Sequence, residues 1–135
     1  MKKISVCISV ACIISSILFA NGQKDASGAK TKPVAIAMCI HSTDNAYWNE
    51  EAEGGKLFAA SLPAGSAEVQ VLTCDGDDAK QLSGIKAFIA AHGKNSILYV
   101  DPSNAPNTAA IAELCEEAGV YWASVWHLAK GLDPT

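Results

Sequence analysis

Arginine is absent from all 135 residues, so lysine supplies every one of the ten basic side chains. Guanidinium forks and basic stripes are the usual clamps for phosphates and nucleic acids, so no nucleic-acid partner is expected. Charge of either sign is sparse, at 18% of residues, and the balance is acidic, with a net charge of −4. Aromatic residues make up only 7% of the chain. The common catalytic signatures are missing too: G-x-S-x-G, P-loop and H-E-x-x-H do not occur. With no nucleophile and base to pair, neither an enzymatic activity nor a cofactor is expected.

Metal-ligand spacing also fails. Asp75 to Asp78 begins like a calcium loop, but the twelfth position from Asp75 is Lys86 where a bidentate Glu belongs. Cys39 and His41 could form one edge of a metal site, yet no second Cys/His pair at ligand spacing accompanies them. No metal is therefore expected.

Residues 1–20 read as a signal peptide. Lys2 and Lys3 give a positive start, Ile4 to Phe19 is almost wholly apolar, and Ala20 closes the run before polar Asn21 to Asp25. Cleavage is expected after Ala20, which places the product in the periplasm. The alternative is a membrane anchor, since ~17 apolar residues are at the lower limit for a span. A lipid anchor on Cys12 fits less well, because Ser9 stands where such a signal wants Leu or Val. Removing residues 1–20 takes two of the ten lysines and no acid, leaving eight cations against fourteen carboxylates, a net charge of −6. Residues 21–32, rich in Gly, Ser, Lys and Ala, form a flexible lead-in.

Of five cysteines, Cys7 and Cys12 leave with the leader, so Cys39, Cys74 and Cys115 remain. An odd number in an oxidising compartment leaves at least one unpaired within the chain. Buried thiols are expected for all three, since adjacent parallel strands offer poor disulfide geometry for Cys39 and Cys74.

From Pro33 onward the chain alternates strand and helix. Pro33 to Ile40 is apolar on both alternations, as a parallel strand covered on both faces must be. Trp48, Ala52, Gly55, Ala59 and Leu62 then recur at helical steps and make one stripe. Gly54 and Gly55 weaken that helix by about 1 kcal/mol each relative to Ala, which calls for close packing on the sheet. Glu68 to Cys74 is the second strand. Asp78 with Gln81 resembles a capping box, and Leu82, Ile85 and Ile89 make the buried stripe of a helix capped by Gly93. Ser96 to Val100 is the third strand, and Pro106 opens a helix whose stripe is Ile111, Leu114, Cys115 and Ala118 before Gly119. Val120 to Trp126 is the fourth strand.

Strict alternation with short connections predicts an α/β, doubly wound parallel sheet of order 2-1-3-4. Right-handed crossovers put the first helix on one face and the other two opposite. The first helix then covers strands one and two only, and the same face of strands three and four stays bare. Since both of those strands are apolar throughout, later elements are expected to be missing, and the isolated chain should be weakly folded or oligomeric.

Four segments carry a resemblance to a known family: Val34 to Trp48, Asp75 to Gln81, Ile97 to Asn104, and Gly119 to Trp126. By their order and spacing the chain resembles the periplasmic sugar-binding proteins of the ribose- and galactose-binding type, the substrate-binding components of ABC importers. The resemblance spans about 95 residues of the part after Ala20. It implies that residues 33–135 are a partial amino-terminal lobe of a two-lobed protein that closes around a sugar or polyol and delivers it to an ABC permease in the inner membrane. The return segments, hinge and second lobe would be absent, so little or no high-affinity binding is expected of this chain alone.

The family places polar and aromatic groups after the first strand, matched by Asn45, Tyr47 and Trp48; a polar group after the third, matched by Asp101; and a hydrogen-bonding pair after the fourth, where Trp126 and His127 stand. The last match departs from the usual Asp-Arg type of pair. Sugars present hydroxyls at their edge and C–H faces above and below, which suits carboxylates or amides in the plane and aromatic rings against the faces. Asn45 and Asp101 are the in-plane candidates, and Tyr47, Trp48 and Trp126 the stacking ones. Each has a structural alternative: Asn45 or Asp44 as a helix cap, Trp48 and Trp126 as core, Asp101 as a turn residue before Pro102, His127 as a solvated loop residue. A receiver-like phosphotransfer domain with Asp101 as phosphoacceptor is a competing reading, as is a truncated product with no activity.

Overall fold

The computed structural model describes residues 32–127. The signal peptide, its cleavage after Ala20 and most of the lead-in lie outside the described residues. Strands β1 (Val34–Ile40), β2 (Ala67–Thr73), β3 (Ser96–Val100) and β4 (Tyr121–Ser124) alternate with helices α1 (Ala46–Ser61), α2 (Asp78–His92) and α3 (Ala105–Ala118). All pairings are parallel and the order is β2-β1-β3-β4, as predicted. The register brings the carboxyl ends level: Ile40 lies opposite Thr73, Cys39 opposite Val100, and Val100 opposite Ser124. His41, Asp101 and Val125 are therefore delivered to one rim.

β1 is buried from Ala35 to Ile40 because both of its alternations are covered. Ala35, Ala37 and Cys39 join Leu98 and Val100 under Ile85, Phe88, Ile111 and Cys115, forming the core beneath α2 and α3. Burying each of the large side chains in that set stabilises the fold by about 1.5–3 kcal/mol. The opposite alternation meets α1 at Gly55, where an added Cβ would lie 2.6 Å from the Met38 Sδ atom. Gly55 thus has the packing reason expected of it. Gly54 does not, since a Cβ there would meet nothing within 4 Å.

On the α1 side, β3 and β4 stay bare among the described residues. Ile97 is 40% exposed and Tyr121 79% exposed, with Phe58 of α1 exposed beside them. All three cysteines are free and buried. Burial pushes the Cys39 thiol up to about 12 and the Cys115 thiol up to about 11.

Three local expectations need correction. The cap of α2 is Asp77, whose side chain accepts from Lys80 N at 2.9 Å, so Asp78 and Gln81 are released for longer-range bonds. The buried face of α2 is Gln81, Ile85 and Phe88, with Leu82 and Ile89 only partly buried. β4 stops at Ser124 rather than Trp126, because Trp126 turns to a left-handed φ of 65°. Gly93 and Gly119 close α2 and α3 as expected, both at positive φ.

Candidate functional site

The rim is built outward from Asp101. β3 ends one residue earlier, and Asp101 N continues the ladder by donating to Cys39 O at 2.9 Å. That bond fixes the backbone and leaves Asp101 only 2% exposed. Trp48, in the first turn of α1, donates Nε1–H to Asp101 Oδ2 at 2.8 Å. His41, just past β1, has Nε2 3.7 Å from the same oxygen and stacks on Trp48 with ring centroids 4.6 Å apart at 9°. On the other side His127 Nδ1 stands 3.8 Å from Asp101 Oδ1, beyond hydrogen-bond reach. Asp101 Oδ1 and His127 Nδ1 are both buried without a hydrogen-bond partner.

A buried carboxylate with one free oxygen is costly, and its protonation reflects that. Burial pushes the Asp101 carboxyl above its ordinary value of 3.8, opposed by His41, by the Trp48 hydrogen bond and by His127, and reinforced by the charge of Glu51. Glu51 sits one helical turn beyond Trp48. It accepts from Tyr99 OH at 3.0 Å, and its Oε2 is likewise buried and unpartnered. Burial first, and Glu51 second, push the Tyr99 hydroxyl above its ordinary range.

The loop after β3 is held from below by Gln81, which is 2% exposed. Its Nε2 donates to Asp101 O at 2.8 Å, while its Oε1 accepts from Ser103 N at 3.0 Å and Asn107 Nδ2 at 2.6 Å. Asp78 accepts from Ser103 Oγ and Asn104 Nδ2 on the same loop. Those two bonds hold the Asp78 carboxyl below its ordinary value. The backbone that carries Asp101 is thereby tied to α2 and α3 through satisfied buried polar groups.

The predicted site residues take different parts. Asn45 caps α1, its Oδ1 accepting from Tyr47 N at 2.9 Å, so the capping alternative describes it. Trp48 is a hydrogen-bond donor to Asp101 with one ring face covered by His41. Tyr47 and Trp126 are 48% and 73% exposed and meet edge to face, with Trp126 Nε1 donating to Tyr47 OH at 3.2 Å. His127 is placed against Asp101, and its carbonyl accepts from Thr108 Oγ1 at 2.8 Å. Asn45 aside, these residues converge on one rim.

Sequence reasoning passed over His41, Glu51, Tyr99 and Gln81. His41 follows β1 directly, and the rule that selects residues at strand carboxyl ends would have found it. Gln81 is a polar residue in step with Ile85 and Phe88 on a buried stripe, which is itself a signal. A receiver-like site needs an acidic pair after the first strand; Asp44, the acid nearest that place, is exposed, and its N–H turns to Ser42 Oγ at 3.2 Å. Among the described residues no group of three or more His, Cys, Asp or Glu side chains is arranged to hold a metal ion.

No protein-family model matches the chain, and no curated protein matches it. Among solved structures it is similar to a twin-arginine translocation pathway signal protein from Burkholderia phytofirmans. The match has a TM-score of 0.71 at 29% identity, and it covers 76% of this chain and 31% of that one. That protein has a periplasmic-binding-protein-like fold. The present α/β layer is built like part of it. This chain spans less than a third of that protein's length.

Proposed function

We propose that this chain belongs to an exported solute-binding protein that captures a sugar or sugar-like solute for an ABC importer. The observation that carries the reading is Asp101, a buried carboxylate at the carboxyl end of a central parallel strand, with Oδ1 unpartnered and aromatic side chains around it. Open parallel sheets bind ligands at that edge. A solute hydroxyl can supply the missing donor, and Tyr47 and Trp126 can lie against a sugar face if their mutual contact opens. The fold neighbour supports both the architecture and export, since it is a translocation pathway signal protein. This chain has no arginine, so its own leader would use a route other than the twin-arginine one.

The test is a tryptophan-fluorescence titration of the full chain with a panel of pentoses, hexoses and polyols. A saturable change that Asp101→Asn abolishes is expected, at weak affinity because the layer supplies one wall of a site. A folded chain giving no saturable response to any member would overturn the proposal.

A further inference from the structure

The seam between α1 and β3 carries two carboxylates arranged alike. Trp48 and Glu51 are one turn apart on α1, and Tyr99 of β3 and Asp101 just past its end are two residues apart, so both pairs face the same seam. In one rung Trp48 Nε1 donates to Asp101 Oδ2 at 2.8 Å; in the next Tyr99 OH donates to Glu51 Oε1 at 3.0 Å. Each rung satisfies one oxygen and leaves the other, Asp101 Oδ1 and Glu51 Oε2, buried with no partner. By helix pitch and strand rise the rungs are roughly 5–7 Å apart. Asp101 has a side chain only 4% exposed.

Among the described residues, the only cationic side chains within 4 Å of these carboxylates are the imidazoles of His41 and His127. The lysine ion pairs among the described residues are Lys56 with Glu53 and Lys80 with Asp75, neither of them to Glu51 or Asp101, and the chain has no arginine. His41 and His127 stand at 3.7 and 3.8 Å from Asp101, and no histidine is paired with Glu51. Trp48 and Tyr99 meet the acids through an indole N–H and a hydroxyl, and the exposed rings of Tyr47 and Trp126 on the same rim are of a kind that favours a cation. An anionic solute would meet two carboxylates and, among the described residues, no lysine paired with them. A neutral sugar can donate to both acids, but it neutralises neither.

From this pairing we infer that the solute carries an ammonium group beside its hydroxyls, an amino sugar or amino polyol rather than a neutral or acidic one. The ammonium sits at the Glu51–Asp101 seam, and hydroxyls take the remaining acceptors. The inference rests on the solute-binding reading above and narrows it. Glu51 also borders an open groove of about 350 Å³ lined by Met38, Gly55, Ile97 and Tyr99, which gives a solute a way to the seam.

The experiment compares glucose, glucosamine and N-acetylglucosamine, and the galactose counterparts, by saturation-transfer NMR on the full chain at neutral pH. Glucosamine or galactosamine should bind at least tenfold more tightly than its neutral parent and than the N-acetyl form, which matches the bulk but not the charge. Glu51→Gln should bring amine and parent to within about twofold of each other, a ratio in which any loss common to both sugars cancels. Equal affinity for amine and parent would overturn the amine inference and leave solute capture standing. An amine preference untouched by Glu51→Gln would overturn the assignment to this seam. Failure of every sugar to bind a folded chain would overturn both readings.

Discussion

Asp101→Asn is expected to make the protein more stable at neutral pH while removing its binding. The wild-type carboxylate is 2% exposed, receives one side-chain hydrogen bond from Trp48 at 2.8 Å, and leaves Oδ1 with none. An asparagine keeps an oxygen for Trp48 and places an NH₂ where Oδ1 faces His127 Nδ1 at 3.8 Å. The backbone bonds to Cys39 O and from Gln81 Nε2 are unaffected. Replacing the buried negative charge by a neutral amide relieves its desolvation, worth about 1–3 kcal/mol, and each kcal/mol raises the melting temperature of a domain this size by about 4–8 °C. The pH dependence follows from the direction of the shift. Asp101 titrates above its ordinary 3.8 in the folded state, so its folded form binds the proton more tightly than the unfolded chain does. Wild-type stability therefore falls as pH rises from about 3.8 to the raised folded value, and the Asn variant lacks that fall. Thermal melts of both proteins from acid to neutral pH check this. A variant that is less stable than wild type at neutral pH, or a difference that does not change with pH, would refute the reasoning.

Gln81→Ala should cost about 1–3 kcal/mol in denaturant melts, because it removes the side-chain partner of Asp101 O and Ser103 N and leaves Asn107 Nδ2 only Ser103 Oγ. Gly54→Ala should stabilise by up to about 1 kcal/mol through helix propensity, whereas Gly55→Ala should lose that gain to overpacking against Met38 Sδ, with the two variants separated by about 1–3 kcal/mol in the same assay. In the native protein Cys39, Cys74 and Cys115 should resist thiol reagents at mildly alkaline pH, since all three are buried with thiols pushed upward, and all three should react after unfolding without reductant.

Much of the layer was legible because the constraints were local. Strands apolar on both alternations call for a parallel sheet covered on both faces, and Gly93 and Gly119 announced their helix ends by what a positive φ requires. The α2 cap was misread by one residue because Asp77 and Asp78 are adjacent acids and both are plausible caps. Only the β3–α3 loop, brought near by the fold, settles which one is used. The same holds for the site. Residues at strand carboxyl ends could be named from order alone, which placed Asp101, Trp126 and His127 at the rim. Their partners could not be, since Trp48 reaches Asp101 across 53 positions and Tyr99 reaches Glu51 across 48. Trp48 could be read as core or as a stacking platform; the structure makes it a donor, a role set by which polar atom the sheet places opposite its nitrogen.

The indole N–H resonances of Trp48 and Trp126, followed in ¹⁵N-labelled protein during titration with glucosamine and with glucose, report directly on whether the rim holds a solute. If it does, both resonances move saturably, the amine acts at lower concentration, and Asp101→Asn abolishes the response. Indole signals that stay fixed at saturating sugar in a folded chain, or that move equally in the Asn variant, would contradict it.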